Sequence, residues 1–327
     1  MLLSTSSPYL FQCLIGPLTP STTYFYIISA PTSNNTVYTF KTYPAPGDVT
    51  PITIGLIADL GMTTNSSSTL DNVILGKPDL VLFAGDLNYA DSYGPFRASI
   101  FPKLSCTAYN GTSYGTGVGP SNTCGQGGLR WDAWGRFCQK LFAYTPTLFI
   151  PGNHEIEAIP QWGYFETFKA YTARIPAMIK STQVYNPSTH PFSAPNAPFY
   201  YSVDIGQVHI LAINSFAGSA KYSLQYNFVN DDMNMMKHTT YRNVTPWIVA
   251  FLHIPWYNTD NSHYLEGEGL RTQLEGFLYN GGVDLVHVGH VHAYERSHPV
   301  YNYNLNACGA VHVTVGDGGN DEGVAGP

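Results

Sequence analysis

"PITIGLIADLGMTTNSSSTLDNVILGKPDLVLFAGDLNY" occupies residues 51–89. Two short apolar runs, "PITIGLIAD" and "PDLVLFAGD", bracket it and read as strands. Between them "NSSSTLDNVILGK" opens on serines, which cap helices, and continues with an apolar stripe at helical spacing. Strand, helix and strand at this spacing make a βαβ unit. Its strands are parallel and covered on both faces, which is why each is continuously apolar instead of alternating.

The same grammar continues downstream. "WDAWGRFCQKLFAY" (131–144) predicts a helix that leads into the strand "TPTLFIPGN" (145–153). "APFYYSVDIGQVHILAINS" (197–215) predicts a hairpin. "TPWIVAFLH" (245–253) and "VDLVHVGHVH" (283–292) predict two further buried strands, with the helix "GLRTQLEGFLYN" between them. "AVHVTVGDGG" (310–319) predicts the last strand, and the fold class is α/β.

The first part of the chain differs. "GPLTPSTTYFYIIS" and "NNTVYTFKT" alternate and end in turn residues, and two or three strands cannot bury a core alone. They read as the end of a β-sandwich whose beginning lies outside this chain, with "YPAPGD" (43–48) as the linker. A hairpin packed on the main domain is the alternative.

Of the 327 residues, 44% are apolar and only 11% charged, which supports a large core and argues against disorder. A net charge of -7 leaves no basic footprint, so nucleic acid is not an expected partner. Nor is a membrane, because no apolar run is long enough to span a bilayer. "MLLSTSSPYLFQC" lacks the basic start and apolar stretch of a signal peptide. Four N-x-[ST] sequons, at Asn34, Asn65, Asn110 and Asn243, together with 24 tyrosines, lean towards a secreted glycoprotein whose leader lies outside this chain. The five cysteines include no C-x-x-C pair, which excludes a thiolate zinc cluster. Cys106 and Cys124 flank a polar loop, where a disulfide and two separate buried thiols fit equally well.

Five predicted strands end in polar groups. These are Asp59-Leu60-Gly61, Gly85-Asp86-Leu87-Asn88-Tyr89, Gly152-Asn153-His154-Glu155, His253, and Gly289-His290-Val291-His292. The crevice beyond the carboxyl ends of strands is where open α/β sheets bind ligands. Each group alone has an ordinary explanation as a turn, a cap or a core histidine; five together do not. Carboxylate, imidazole, amide and phenol oxygen suit first-row transition metals. Histidines are too many for calcium, and soft ligands too few for copper(I) or iron–sulfur chemistry. Seven donors suit two ions that share a carboxylate, roughly 3.5–4 Å apart.

These blocks resemble the metallophosphoesterase, or calcineurin-like phosphoesterase, superfamily: D-x-G, G-D, G-N-H-[DE], a lone H, then G-H-x-H. The tyrosine of "GDLNY" resembles the purple acid phosphatases within it, as do "WDAWGRF", "PGNHEIE", "HIPWYN", "GHVHAYERS" and "VGDGGNDEG". The resemblance implies a four-layer α/β/β/α sandwich with βαβαβ units over residues 47–327, its C-terminal end missing after "GDGGNDEGVAGP". Residues 1–46 would be a partial fibronectin-III-like domain and linker, matched by "GPLTPSTTYFY".

By the same resemblance Asp59, Tyr89 and His292 would hold the first metal, Asn153, His253 and His290 the second, and Asp86 would bridge them. Charge counting makes the first shell the more anionic. Fe(III) suits it, with Zn(II), Mn(II) or Fe(II) in the second. His154 and His263 match the family's catalytic histidines that bind no metal. The implied activity is acid hydrolysis of phosphate monoesters by a metal-activated hydroxide, on small-molecule phosphate esters. A phosphodiesterase or nucleotide pyrophosphatase, or a catalytically impaired metal-binding protein, are the alternatives. A homodimer stays open, and the implied location is secreted or vacuolar/lysosomal. Glu155 is expected to orient a neighbour, and Glu295 and Arg296 to pair with each other. His209, His287 and His312 are expected in the core, and His190, His238 and His298 at the surface.

Overall fold

The structure, a computed structural model, describes residues 10–29, 35–93, 128–157, 167–175, 192–196 and 198–326. Asn34, Asn110, His190 and the pair Cys106 and Cys124 lie outside the described residues. Strands β1 (Thr23–Ile27) and β2 (Val37–Lys41) form an antiparallel hairpin that, among the described residues, pairs with no other strand. One face stays exposed at Phe25, Ile27 and Val37. The other lies on the α/β body. There the Tyr26 hydroxyl donates to Ala143 O (2.9 Å) and Gln139 Nε2 donates to Tyr38 Oη (2.8 Å).

The βαβ unit forms as the sequence predicts. β3 (Ile54–Ile57), helix Thr64–Leu75, β4 (Leu80–Ala84), helix Gly128–Phe142 and β5 (Thr147–Ile150) follow in order. The three strands are parallel, with β4 central. Thr63 starts the first helix by accepting from Ser66 N, while Ser66 Oγ accepts from Thr63 N. β4 is buried along its whole length. Val81 and Phe83 pack with Leu70, Trp131, Trp134 and Leu141 of the two helices. Leu80, Leu82 and Ala84 face the opposite way, into a core shared with the second sheet.

That second sheet has seven strands, in the order β11-β14-β10-β9-β8-β7-β6. They are β6 (Phe192–Asn196), β7 (Tyr200–Ile205), β8 (Val208–Ala212), β9 (Trp247–Phe251), β10 (Leu285–Val288), β11 (Tyr294–Arg296) and β14 (Val311–Val315). β12 (Val300–Tyr301) and β13 (Asn304–Leu305) make a separate small hairpin. β8, β9, β10 and β14 are parallel, and the predicted hairpin is the antiparallel pair β7–β8. Helices Leu224–Met236 and Glu268–Gly281 add Val229, Met233, Leu274 and Leu278 to the shared core. The layers therefore run helix, sheet, sheet, helix. Among the described residues no helix is long and apolar enough to cross a membrane.

Helix Leu224–Met236 is anchored by charge as well as by apolar packing. Buried His209 on β8 sits between Asp204 Oδ1 (2.7 Å from Nδ1) and Asp232 Oδ2 (2.8 Å from Nε2), and Ser202 donates to Asp232 Oδ1 (2.6 Å). Burial alone would lower the His209 pKa, but Asp232 and Asp204 outweigh it and push it up to about 10. The folded chain holds this proton more tightly than the unfolded chain. Its stabilisation is therefore complete below about pH 6.5 and fades as pH rises through about 10. His209→Leu strips two buried carboxylates of their imidazolium and is expected to cost on the order of 3 kcal/mol. The check is Tm against pH. The wild type should lose stability between neutral pH and pH 10 along a limb that the variant lacks.

Candidate metal centre

The strand ends are zipped together past the point where the sheets stop. Asp59 N donates to Gly85 O (3.1 Å), Leu60 N to Asp86 O (3.2 Å) and Gly61 N to Leu87 O (3.1 Å), so the loops after β3 and β4 run side by side. Three bonds then tie the two sheets. His253 Nδ1 donates to Ala84 O (2.7 Å), His287 Nε2 to Ile57 O (3.3 Å) and His290 N to Asp59 Oδ2 (2.8 Å). All five polar strand ends thus meet at one rim. Asp59, Asp86, Tyr89 and His290 all have left-handed backbone, with φ of 52°, 50°, 56° and 69°. That conformation is uncommon for non-glycine residues, and four cases at one rim match its clustering at functional sites.

The donors form two groups. In the first, Tyr89 Oη lies 3.0 Å from His292 Nε2 and 3.3 Å from Asp59 Oδ1, and His292 Nε2 is 3.5 Å from Asp59 Oδ1. His292 Nδ1 donates to Gly323 O (2.9 Å), which leaves Nε2 as the nitrogen facing the group. In the second, His253 Nε2 lies 3.0 Å from Asn153 Oδ1 and 3.2 Å from Asp86 Oδ2. Ligand atoms of Asp86, His253 and His290 lie within 4.8 Å of one another.

The electrostatics are those of a cation site. Asp59 and Asp86 are at most 1% exposed, and buried carboxylates require positive partners. Burial raises the Asp59 carboxyl above its usual range. Burial opposes ionisation of Asp86 too, but His253 and His154 hold that carboxyl well below normal. Burial and then the charges of Asp59 and Asp86 hold the Tyr89 phenol well above its ordinary value. His290 is driven down to about 4 by burial and by His253, so it stands as a neutral ring with a lone pair to offer. Carboxylate, phenol, amide and neutral imidazole together fit two first-row ions.

Over residues 52–294 the chain matches the family of calcineurin-like phosphoesterases. It belongs to that family. The chain is 38% identical over 327 residues to Purple acid phosphatase 23 of Arabidopsis thaliana, a match that covers 99% of this chain and 65% of that protein. It is 35% identical to Phosphoenolpyruvate phosphatase of Allium cepa, over 98% of this chain and 59% of that protein. Its fold is similar to that of purple acid phosphatase PPD1 from yellow lupin seeds, with a TM-score of 0.65 at 22% identity, over 94% of this chain and 52% of that one. The chain therefore spans between about half and two thirds of the length of these proteins.

Around the donors lie residues that hold them in place or face them. Buried Glu155 accepts from Asp86 N (2.8 Å), Leu87 N (2.9 Å) and Gly152 N (2.7 Å), pinning two donor loops together. Burial and the charge of Asp86 push its carboxyl up to about 8. Asn320 Nδ2 donates to Asp59 O (2.9 Å), which gives "GGNDEG" a part in the first group. His154 packs against Tyr89, ring centroids 4.1 Å apart and planes tilted by 42°, and its Nδ1 lies 2.7 Å from Asp91 Oδ1. Its Nε2 faces Asp86 Oδ2 (3.9 Å) and Glu322 Oε1 (3.7 Å). Burial opposes protonation of His154, yet these carboxylates push it up to about 12. His263 brings its ring centroid within 4.6 Å of that of His290, at the outer edge of the second group.

The expected pairing of Glu295 with Arg296 does not form. Glu295 accepts instead from Thr259 N (3.1 Å), because successive residues of β11 point to opposite faces of the strand. His209, His287 and His312 are buried, and His238 and His298 are exposed. Trp131 and Trp134 are helix packing, both inside the core beside Phe83.

Proposed function

We propose that this chain is the catalytic part of an acid phosphatase that hydrolyses phosphate monoesters at a dinuclear centre. Fe(III) would lie among Asp59, Tyr89, His292 and Asp86. Zn(II), Mn(II) or Fe(II) would lie among Asp86, Asn153, His253 and His290. The observation that carries this is the position of Asp86. Its carboxylate contacts the second donor group directly, and its charge is felt by Asp59 and Tyr89 of the first. When bound, the ion pair supplies Lewis acidity that neutralises phosphoryl charge and lowers the pKa of water.

The chain's own residues do the rest. His154, held by Asp91 and fully encased, is a fixed donor aimed at the rim, suited to a phosphoryl oxygen. His263 keeps Nε2 for the substrate, because Nδ1 is engaged by Glu266 (2.7 Å), and it is placed to protonate the leaving alkoxide. Asn320 and Glu155 hold the donor loops against drift. Small phosphate esters would be the substrate class. Residues 1–46 would be a fibronectin-III-like segment and linker ahead of the catalytic domain. Exposed sequons at Asn65 and Asn243 fit a secreted or vacuolar glycoprotein.

The test is metal analysis, a visible spectrum, and kcat/KM on phenyl phosphate against a bis-aryl phosphodiester. Iron with a second metal, a phenolate-to-iron absorption band and preference for the monoester are expected. Preference for the diester would move the assignment to phosphodiesterase. No turnover of either ester at full metal occupancy would reject catalysis. Tyr89→Phe should abolish the visible band while the other donors keep both ions. A band that survives this substitution would refute Tyr89 as a ligand.

A further inference from the structure

Glu266 is not among the seven predicted donors, yet its carboxylate lies within 4.8 Å of ligand atoms of both His263 and His290, two rings that the site depends on. Its Oε2 lies 2.7 Å from His263 Nδ1 and 3.1 Å from His290 Nε2. A carboxylate oxygen can only accept, so both nitrogens are donors toward it. That fixes both tautomers at once. His290 keeps Nδ1 as its lone-pair nitrogen, and His263 keeps Nε2 clear of Glu266 as the nitrogen that would carry the proton for the leaving alkoxide.

The loop that carries Glu266 is built for this placement. Asp260 Oδ1 accepts from Ser262 N (2.8 Å) and His263 N (3.0 Å), and Glu266 N donates to His263 O (3.2 Å). Leu265 is forced into left-handed backbone at φ 59°, which a leucine does not choose by itself. Gly267 lets the loop lie flat on the segment after His253, since a Cβ there would meet Pro255 O at 2.5 Å and Trp256 Cδ1 at 3.1 Å. The Glu266 side chain is 44% exposed, so its ion pairs add little to stability. A strained loop that delivers a carboxylate with so little stabilising return points to a role in the site.

We propose that Glu266 is a positioning residue that orients His290 toward its ion and His263 toward the substrate through one shared oxygen. This rests on the proposed phosphatase reading for what the two histidines do. A metal-ligating histidine whose outer nitrogen donates to a carboxylate is held in rotation and made more basic. Loss of such a carboxylate lowers metal affinity about 10–100-fold. Here the same carboxylate also holds the ring assigned to the leaving group, so occupancy of the second position and alignment of His263 are linked.

The experiment is Zn²⁺ titration of the chelator-stripped chain by calorimetry, comparing wild type with E266A, E266Q and H263A. A parallel readout is ¹⁵N NMR of the imidazoles. E266A should weaken one of two zinc ions about 10–100-fold and leave the other unchanged. E266Q, whose amide oxygen still accepts one N–H, should fall between E266A and wild type. H263A should leave both affinities unchanged, and in E266A the His263 signals should lose the fixed Nδ1–H tautomer. Melting curves for each variant establish that it is folded. Wild-type zinc affinities in both Glu266 variants would overturn the proposal, as would equal weakening of both ions. If the expected Glu266 effects on zinc appear but the protein loaded with iron and a divalent ion hydrolyses no phosphate ester, the phosphatase reading fails and the positioning role stands.

Discussion

Asp86→Ala removes hydrolysis and uncouples the two ions. Asp86 is 1% exposed and does three things: Oδ2 lies 3.2 Å from His253 Nε2, Oδ1 accepts from His154 N (2.9 Å), and its charge reaches Asp59 and Tyr89. Without it His253, which Asp86 pushes up to about 9 against the effect of burial, loses its anion, and the second group is left with neutral amide and imidazole. Neutral donors alone would be a poor shell for the divalent ion proposed there. The expected result is a fall in kcat/KM of at least about 10³-fold and loss of both ions to mild chelation. Asp59→Ala should release the first ion preferentially. Asp86→Asn keeps the shape and one acceptor, so it separates charge from packing and should be nearly as inactive. If Asp86→Asn keeps two ions and activity within tenfold of wild type, the shared-carboxylate arrangement is wrong.

What the sequence exposes and what it hides follow from the same physics. The βαβ unit is legible because β4 is buried on both faces and must be apolar throughout, as "LVLFA" is. The donors are legible because short polar groups interrupt apolar strands at their ends. Helix Leu224–Met236 is not legible. Its sequence, "LQYNFVNDDMNMM", buries Gln225 and Asp232, which serve Asn214 and His209, so its inward face carries no clean apolar stripe. The supporting residues are hidden for another reason. Asp91 reaches His154 across 63 positions and Asn320 reaches Asp59 across 261, and no local pattern encodes such pairings. Left-handed backbone at Asp59, Asp86, Tyr89 and His290 is likewise invisible in residue type, since tertiary contacts impose it against local preference.

Glycines show the division most sharply, and they carry a second large expected effect. Beside the donors, glycine suggests sharp turns, and Gly61 and Gly85 do have positive φ, at 63° and 88°. Gly152 and Gly289 do not need left-handed backbone; they need space. A Cβ on Gly289 would collide with Asp59 Oδ2 and lie 2.6 Å from Ala58 Cβ. A Cβ on Gly152 would collide with Asp86 Oδ1 and lie 2.5 Å from Asp86 N. Each glycine is therefore clearance for a carboxylate on the facing loop. Gly289→Ala should displace Asp59 by a large fraction of an ångström or break its bond from His290 N (2.8 Å). Misplacement on this scale costs about 10²-fold in rate, and overpacking costs about 1–3 kcal/mol in stability. Its loss of metal should be confined to the first ion, whereas Gly152→Ala, acting on the shared carboxylate, should weaken both. Gly276→Ala is the control: its Cβ would meet nothing within 4 Å on the helix Glu268–Gly281, and alanine there should raise stability by about 0.5–1 kcal/mol. The same substitution thus has opposite signs at positions that look alike in the sequence, and the difference is the distance to a buried carboxylate. Metal stoichiometry, Tm and kcat/KM on the three variants decide it. A Gly289→Ala protein with two ions and wild-type turnover would show that the Asp59 loop can retreat without cost, and that the rim is less rigid than its hydrogen bonds require.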